Sequence, residues 1–429
     1  MTDISRTGLA RDPILPHRDL LLDPALMRGM LASALGIDAP ASLGEPTIAR
    51  VNYQVGKSLR AVYRADIDGA ERTIAARMFA GAKSEEVYRH SAPDAKDVAT
   101  IRGIAHDAAI GAVYWVFPND RKIASLEAVL DPAMPVPGID SRAPLRKRLV
   151  AYAPEKSATL VCEDSTQTPV AYAKVAAAYQ AARDYNTYAS LRTRLDPVHP
   201  WLCLPEPLAY SGAQRTLWLK ALPGRRMAES SGEDEIADLE RLGAAVAAFH
   251  GLAVPNAPQF DRFSAEQLAK DGETMRSSRP DVADAVEHLA ARLIATGVTV
   301  DVHACLHGDL HPKNAIVCSD RVALIDVEDV GVGATAADIA SLLAGLLYRR
   351  ETGELSPPAC RSRAQAFLVG YRSHRDLPRR ESLAWHTAAA LFSERAARAI
   401  TRMRPLGLAH FPALLATSER LLDRGLEAL

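Results

Sequence analysis

The chain has 429 residues, 48% hydrophobic and 24% charged, which is a globular composition long enough for about two to three domains. Fifty-one Lys and Arg against 52 Asp and Glu leave a net charge of −1, which excludes a global basic field for nucleic acid and an acidic tail. Five scattered cysteines without a CxxC pair argue against a disulfide framework or zinc knuckle and for the reduced thiols of a cytoplasmic protein. Met1 to Leu22 lack the plan of a leader peptide, and the longest apolar run, Ile339 to Tyr348, is well short of the ~20 residues a membrane span needs. A soluble protein without a membrane partner is expected.

Along the chain, the first feature is a repeat. VNYQVGKSLRAVY (Val51 to Tyr63) aligns with LVAYAPEKSATLVC (Leu149 to Cys162), matching Tyr53 with Tyr152, Lys57 with Lys156, Ser58 with Ser157 and Val62 with Val161. TIAARMF (Thr73 to Phe79) then matches VAYAKV (Val170 to Val175), which sets Arg77 against Lys174. VYWVFPNDR (Val113 to Arg121) matches TLWLKALPGR (Thr216 to Arg225), which sets Trp115 against Trp218. Three matches in one order predict a supersecondary unit used twice: strand, turn, strand, strand ending near a basic residue, helix, strand.

After Pro223-Gly224 the pattern becomes helical. Ile236, Leu239, Leu242, Val246 and Phe249 recur at helical spacing, as do Val282, Val286, Leu289 and Leu293, with Pro280 at a position suited to a first turn. His250, closing the first of these, reads as packing or capping. Ala315 to Val317 and Val322 to Ile325 are two short apolar runs joined by Cys318-Ser319-Asp320-Arg321, the pattern of a hairpin. The last ninety residues are helical, and Gly345 to Leu429 hold 14 arginines, no lysine and eight acids.

The hairpin carries the chemistry. Asn314 stands just before its first strand and Asp326 just after its second, so antiparallel pairing brings an amide oxygen and a carboxylate together. Hard oxygen ligands in that number suit magnesium, which keeps waters and takes substrate phosphates as further ligands. Asp309, five residues upstream, can receive a proton from an attacking hydroxyl. His303, His307 and His311 are spaced by four, but Gly308 and Pro312 break the helix a zinc site would need.

HGDLHPKN followed by LIDVED and DIASLL resembles the aminoglycoside phosphotransferase family, which shares the eukaryotic-type kinase fold and includes sugar, choline and antibiotic kinases. The resemblance implies an α+β, bilobal protein-kinase-like fold with an antiparallel-sheet small lobe and a helical large lobe. It implies ATP and Mg2+ as cofactors, Asp309 as catalytic base, Asn314 and Asp326 as metal ligands, and His307 and Asp338 as braces of the catalytic loop. Lys174 resembles the strand lysine that contacts the α- and β-phosphates, and Asp184 stands where its acidic partner is usually Glu. Ser157 lies in the turn that would cover the phosphates, and Lys220 and Leu222 in the hinge strand that would read adenine. Lys313 replaces a usual Gly, and Glu328 could add a charge behind the metal ligands.

The expected division is a cap at residues 1–140 resembling a degenerate small lobe, an ATP-binding lobe at 141–223, and a helical catalytic lobe at 224–429. The expected reaction moves the γ-phosphoryl group of ATP to a hydroxyl of a small molecule. The arginine bias of the C-terminal region speaks against polycationic aminoglycosides and for a sugar or other neutral or anionic acceptor. Other readings are a nucleotide-binding scaffold without turnover, an aminoglycoside kinase, and a cap that docks a partner protein.

Overall fold

The computed structural model describes residues 8–37, 43–141, 143–195, 200–254, 257–297 and 302–428. Residues 1–7, part of the leader reading, lie outside them. The chain divides into two compact units, one of residues 1–181, 209–218 and 400–403, the other of 182–208, 219–399 and 404–429.

The first unit holds one five-stranded antiparallel sheet and most of a second. One is built from β1 (Thr47–Gln54), β2 (Ser58–Ile67), β3 (Ala70–Phe79), β4 (Ile104–Asp107) and β5 (Ala112–Val116), in the order β1-β2-β3-β5-β4. The other uses β6 (Arg146–Ala153), β7 (Ser157–Glu163), β8 (Pro169–Ala176), β10 (Pro207–Ser211) and β11 (Thr216–Lys220), in the order β6-β7-β8-β11-β10. Strand order, and a helix after the third strand, are the same in both: Lys83–Ser91 in the first and Ala181–Leu195 in the second. Register agrees as well. Tyr53 faces Leu59 and Arg60 faces Arg77 in the first sheet; at the aligned positions Tyr152 faces Ala158 and Thr159 faces Lys174.

The turns repeat down to single hydrogen bonds. The Tyr53 hydroxyl and the Gly56 amide both donate to Asp12, at 2.6 and 2.9 Å. The Tyr152 hydroxyl and the Glu155 amide both donate to Asp120, at 2.7 and 2.8 Å. Gly56 has φ +66°, and Glu155, at the aligned position, has φ +63°. A glycine occupies that left-handed region without penalty, whereas a side chain pays of order 1–2 kcal/mol for it. The Glu155 carboxylate makes up for this by ion-pairing with Arg60 at 2.8 Å and with Arg77 and Arg121. The two sheets thus share their strand order, the register of their first three strands and the hydrogen bonds of their first turns.

The second unit is mainly helical. Helix Gly232–His250 carries the expected apolar stripe and lies directly on helix Pro357–Arg372. A Cβ at Gly243 would stand 2.1 Å from the Phe367 carbonyl, and one at Gly370 1.8 Å from the Glu240 carbonyl, so both helices need glycine at the crossing. Two small sheets sit in this unit. One has the order β12 (Arg225–Arg226), β14 (Ala315–Cys318), β15 (Arg321–Leu324), β9 (Leu202–Cys203); the other pairs β13 (His303–Leu306) with β16 (Gly331–Ala334). Cys203 and Cys318, far apart in sequence, both lie in the first of these sheets, where Cys203 lowers the Cys318 thiol against the opposing effect of burial. The hinge strand is shorter than its sequence pattern, ending at Lys220 where Pro223-Gly224 had been the expected limit.

Among the described residues no helix is long and apolar enough to cross a membrane.

Candidate active site

β13 pairs antiparallel with β16, Leu306 opposite Gly331, and delivers the chain to a tight turn at His307-Gly308. Gly308 has φ +82°, and a Cβ there would lie 2.8 Å from the Asp329 carbonyl, so the turn has no room for another residue. Asp338, fully buried in the first turn of helix Thr335–Glu351, accepts from the His307 amide at 2.6 Å and the Gly308 amide at 3.1 Å. Its other neighbour is His250 Nε2 at 3.2 Å, while His250 Nδ1 meets the Tyr371 hydroxyl at 2.9 Å. Burial pushes the Asp338 carboxyl up, but His250, His307 and Arg262 outweigh it and hold it below its usual range. Asp338 is thus more than an acid favoured by a helix dipole, and His250 more than a cap: together they anchor the loop backbone.

Burial pushes His307 down, toward the neutral imidazole. A neutral ring has one donor and one acceptor, and the geometry assigns them. Nε2–H donates to the Ile325 carbonyl at 2.9 Å, leaving Nδ1 to accept the Asp309 amide at 3.3 Å. One ring therefore ties the loop to the end of β15. His303, by contrast, is exposed on β13, and among the described residues no group of three His, Cys, Asp or Glu is placed to hold a metal ion.

Asp309 is half-exposed. Its carboxylate lies 3.5 Å from His311 Nε2 and 3.6 Å from Arg262. Burial raises its pKa, but the hydrogen bond from His311 and the charges of His311, Arg262 and Arg398 carry it well below the usual carboxylate range. Arg262 is itself held by Glu394, which also accepts from the Ser341 hydroxyl at 3.1 Å. Glu394 belongs to a π-helical stretch, Leu391–Ala397, set inside the helical run from Arg380 to Thr401. Such wide turns are frequent at functional sites.

The hairpin has the expected register: Ala315 faces Leu324 and Cys318 faces Arg321. Its second strand stops one residue early, at Leu324, yet the Ile325 amide still donates to the Asn314 carbonyl at 2.9 Å. Asn314, buried, donates its amide nitrogen to the Asp309 carbonyl at 3.0 Å, which turns the opposite end of the same planar group, the oxygen, away from the loop. Asp326 follows at φ +61°, a left-handed conformation that Asp tolerates better than most residues and that re-aims its side chain as the chain leaves the strand. Glu328, two residues on, accepts from the Tyr188 hydroxyl at 3.3 Å.

The nucleotide-side candidates divide between the units. In the first, Lys174 is half-buried on β8 opposite Thr159, and Ser157 opens β7 opposite Ala153 and Ala176. In the second, Asp184 is buried in the first turn of its helix beside Arg183 at 3.0 Å. Lys220 ends β11, its amide donating to the Glu206 carbonyl at 2.8 Å and its ammonium 3.3 Å from the Glu206 carboxylate. Leu222 follows, half-buried. Arg262 and Glu394 carried no signal in sequence, because neither belongs to a motif and 132 positions separate them.

A profile described as the phosphotransferase enzyme family matches residues 166–383, just over half of the 429. The chain belongs to this family. The matched stretch contains every candidate catalytic and metal-binding residue and begins within the second repeat. The phosphotransferase has the α+β, protein-kinase-like fold that its motifs implied. Solved structures similar to it include a macrolide 2'-phosphotransferase from Brachybacterium faecium, at 16% identity and TM-score 0.43, over 70% of this chain and 98% of that one. A choline/ethanolamine kinase family protein from Mesorhizobium loti has 13% identity and TM-score 0.44 over 72% and 96%. An aminoglycoside phosphotransferase in complex with gentamicin has 13% and 0.43 over 63% and 91%. Among curated proteins none matches the chain.

Proposed function

We propose that the phosphotransferase moves the γ-phosphoryl group of ATP to a hydroxyl of a small molecule, with Asp309 accepting the hydroxyl proton. The observation that carries this reading is the fixed loop around Asp309. Its backbone is tied at His307 and Gly308 by Asp338 and at the Asp309 carbonyl by Asn314, while Arg262 and His311 keep the carboxylate ionised. A carboxylate so acidic is a weak base, so its main work is to orient the attacking oxygen and to take the proton as the new bond forms.

Asn314 and Asp326 are hard oxygen donors at the two ends of one hairpin, and the bond from the Asn314 nitrogen to the loop leaves its oxygen as the group for a cation. Both fit magnesium, which would neutralise phosphate charge when bound. His307 and Asp338 are positioning residues for the loop. On the nucleotide side, Lys174, Ser157 and Asp184 are the candidates for the nucleotide. Lys220 already gives its amide to Glu206, so adenine recognition falls to its carbonyl and the Leu222 amide. The segments 1–140 and 141–223 would serve as a cap and the working small lobe, and 224–429 as the catalytic lobe. Nothing in the site singles out a sugar among hydroxyl compounds.

The test is Asp309→Asn in the full chain. Turnover with ATP and magnesium should fall roughly a hundred- to ten-thousand-fold with ATP affinity little changed. Equal loss of ATP binding would make Asp309 structural. A second reading, a nucleotide-binding scaffold without turnover, is favoured by the turn before Ser157, where Glu155 is committed to three arginines. Binding of ATP with no phosphoryl transfer to any acceptor would support it.

A further inference from the structure

A cavity of about 420 Å³ opens beside Asp309 within the second unit. Five Lys and Arg line it against two carboxylates, Asp309 and Glu235. Neither carboxylate is available to balance the cations. Asp309 is shared by Arg262 and His311, and Glu235 is held by Arg349 and by Arg363 at 2.7 Å. Lys313, Arg395, Arg398 and Arg404 remain, and none has a carboxylate within 4.0 Å among the described residues.

Arg395 shows how little that charge is compensated. Its guanidinium gives one nitrogen to the Ser341 carbonyl at 2.6 Å, and its Nε is buried with no partner. Interior polar atoms are nearly always satisfied, and this donor is left over behind the cavity wall. Burial, with Arg398, Arg404 and Arg262 nearby, brings this arginine down to about 10 in spite of Glu394. The helix beneath makes space for it: a Cβ at Gly345 would come within 3.1 Å of its terminal nitrogen. A polycationic amine would be repelled here, and a neutral acceptor would leave the charge unanswered.

We propose that this cavity receives the acceptor, and that the acceptor is an anionic hydroxyl compound whose carboxylate or phosphate is held by Arg395, Arg398, Arg404 and Lys313 while its hydroxyl faces Asp309. This rests on the phosphotransfer reading and adds the substrate class to it. Arginine suits the task because its planar fork pairs two-to-two with carboxylate and phosphate oxygens.

The test uses the full chain with ATP and magnesium and a panel matched in carbon skeleton: glucose, glucosamine, gluconate and glucose 6-phosphate, and glycerol, glycerate and glycerol 3-phosphate. Turnover should favour the anionic members, by about tenfold or more in kcat/KM for each interaction gained. Arg404→Gln, checked for an unchanged melting temperature, should raise acceptor KM for anionic members about tenfold with kcat largely kept. Preference for glucosamine or glycerol, or an equal loss for every acceptor, overturns the proposal. A rise in the KM for ATP with acceptor KM unchanged also overturns it, assigning the arginines to nucleotide phosphates. Calorimetric binding of the same panel to Asp309→Asn separates the two levels. Anions bound in Asp309→Asn and lost in the Arg404→Gln double variant uphold the cavity whatever the turnover, whereas no anion bound overturns the cavity and leaves phosphoryl transfer standing.

Discussion

Replacing Glu155 by Gln tests whether the contact between the two repeats holds the first unit together. The carboxylate is 6% exposed and faces Arg60, Arg77 and Arg121. Burial alone would raise its pKa, but Arg121 and Arg77 reverse the sign and bring it from 4.5 to about 2. At about 1.36 kcal/mol per unit, that shift corresponds to an upper bound of about 3 kcal/mol of folding free energy at neutral pH. Glu155 has a depressed folded-state pKa, so this contribution is complete above the unfolded value of 4.5 and is lost as pH falls toward 2. Gln should therefore cost about 2–3 kcal/mol at pH 7, since it also leaves three like charges facing one another. Urea denaturation followed at pH 7, 4.5 and 3, with hydrogen exchange at the β6–β7 turn, would resolve the effect in the first unit. The gap between the wild-type chain and the variant should narrow steadily below pH 4.5. A gap under 0.5 kcal/mol at pH 7, or one that stays constant on acidification, would refute the reasoning.

Asp338→Asn should destabilise the chain by about 3–5 kcal/mol, because one of two buried amide donors then faces an NH2 group and His250 loses its carboxylate; equilibrium unfolding would detect it, and a cost below 1 kcal/mol would remove the brace. Gly308→Ala puts a Cβ 2.8 Å from a carbonyl at a positive φ, so turnover should fall by more than tenfold even where the variant folds, as read by kcat beside circular dichroism. His311→Ala removes the largest of the influences that lower the Asp309 pKa. The acid limb of kcat/KM should then move upward, toward the ordinary range near 3.8; a limb that stays in place means that His311 does not touch the reacting carboxylate.

The parts of the site that could be read in sequence are those fixed by short-range geometry. Asn314, Asp326 and Asp309 lie within eighteen positions, and a two-stranded turn of four residues leaves only one way to bring the first two together. The repeat was visible for a related reason: paired strands preserve register, so Tyr53 and Tyr152, or Arg77 and Lys174, stay at equal distances from their turns. What the alignment could not convey is that Glu155, written where the first copy has glycine, would reach the first copy's own arginines. A side chain that trades an unfavourable φ for three ion pairs looks, in one dimension, like an ordinary turn acid.

The remainder depends on contacts with no local signature. Glu394 reaches Arg262 only because the helix widens at Leu391–Ala397, and nothing in LFSERAA distinguishes that stretch from an ordinary α-helical turn. The same widening brings Arg395 to the Ser341 carbonyl, next to the cavity. Total charge in the C-terminal region was readable as 14 arginines against eight acids, but a count cannot say which arginines find carboxylates. The structure separates them: Arg349 and Arg363 are paired with Glu235, while Arg395, Arg398 and Arg404 line a cavity beside Asp309. On the proposed reading, acceptor choice rests on which cations the second unit leaves unmatched, and that is set by helix geometry outside the short motifs.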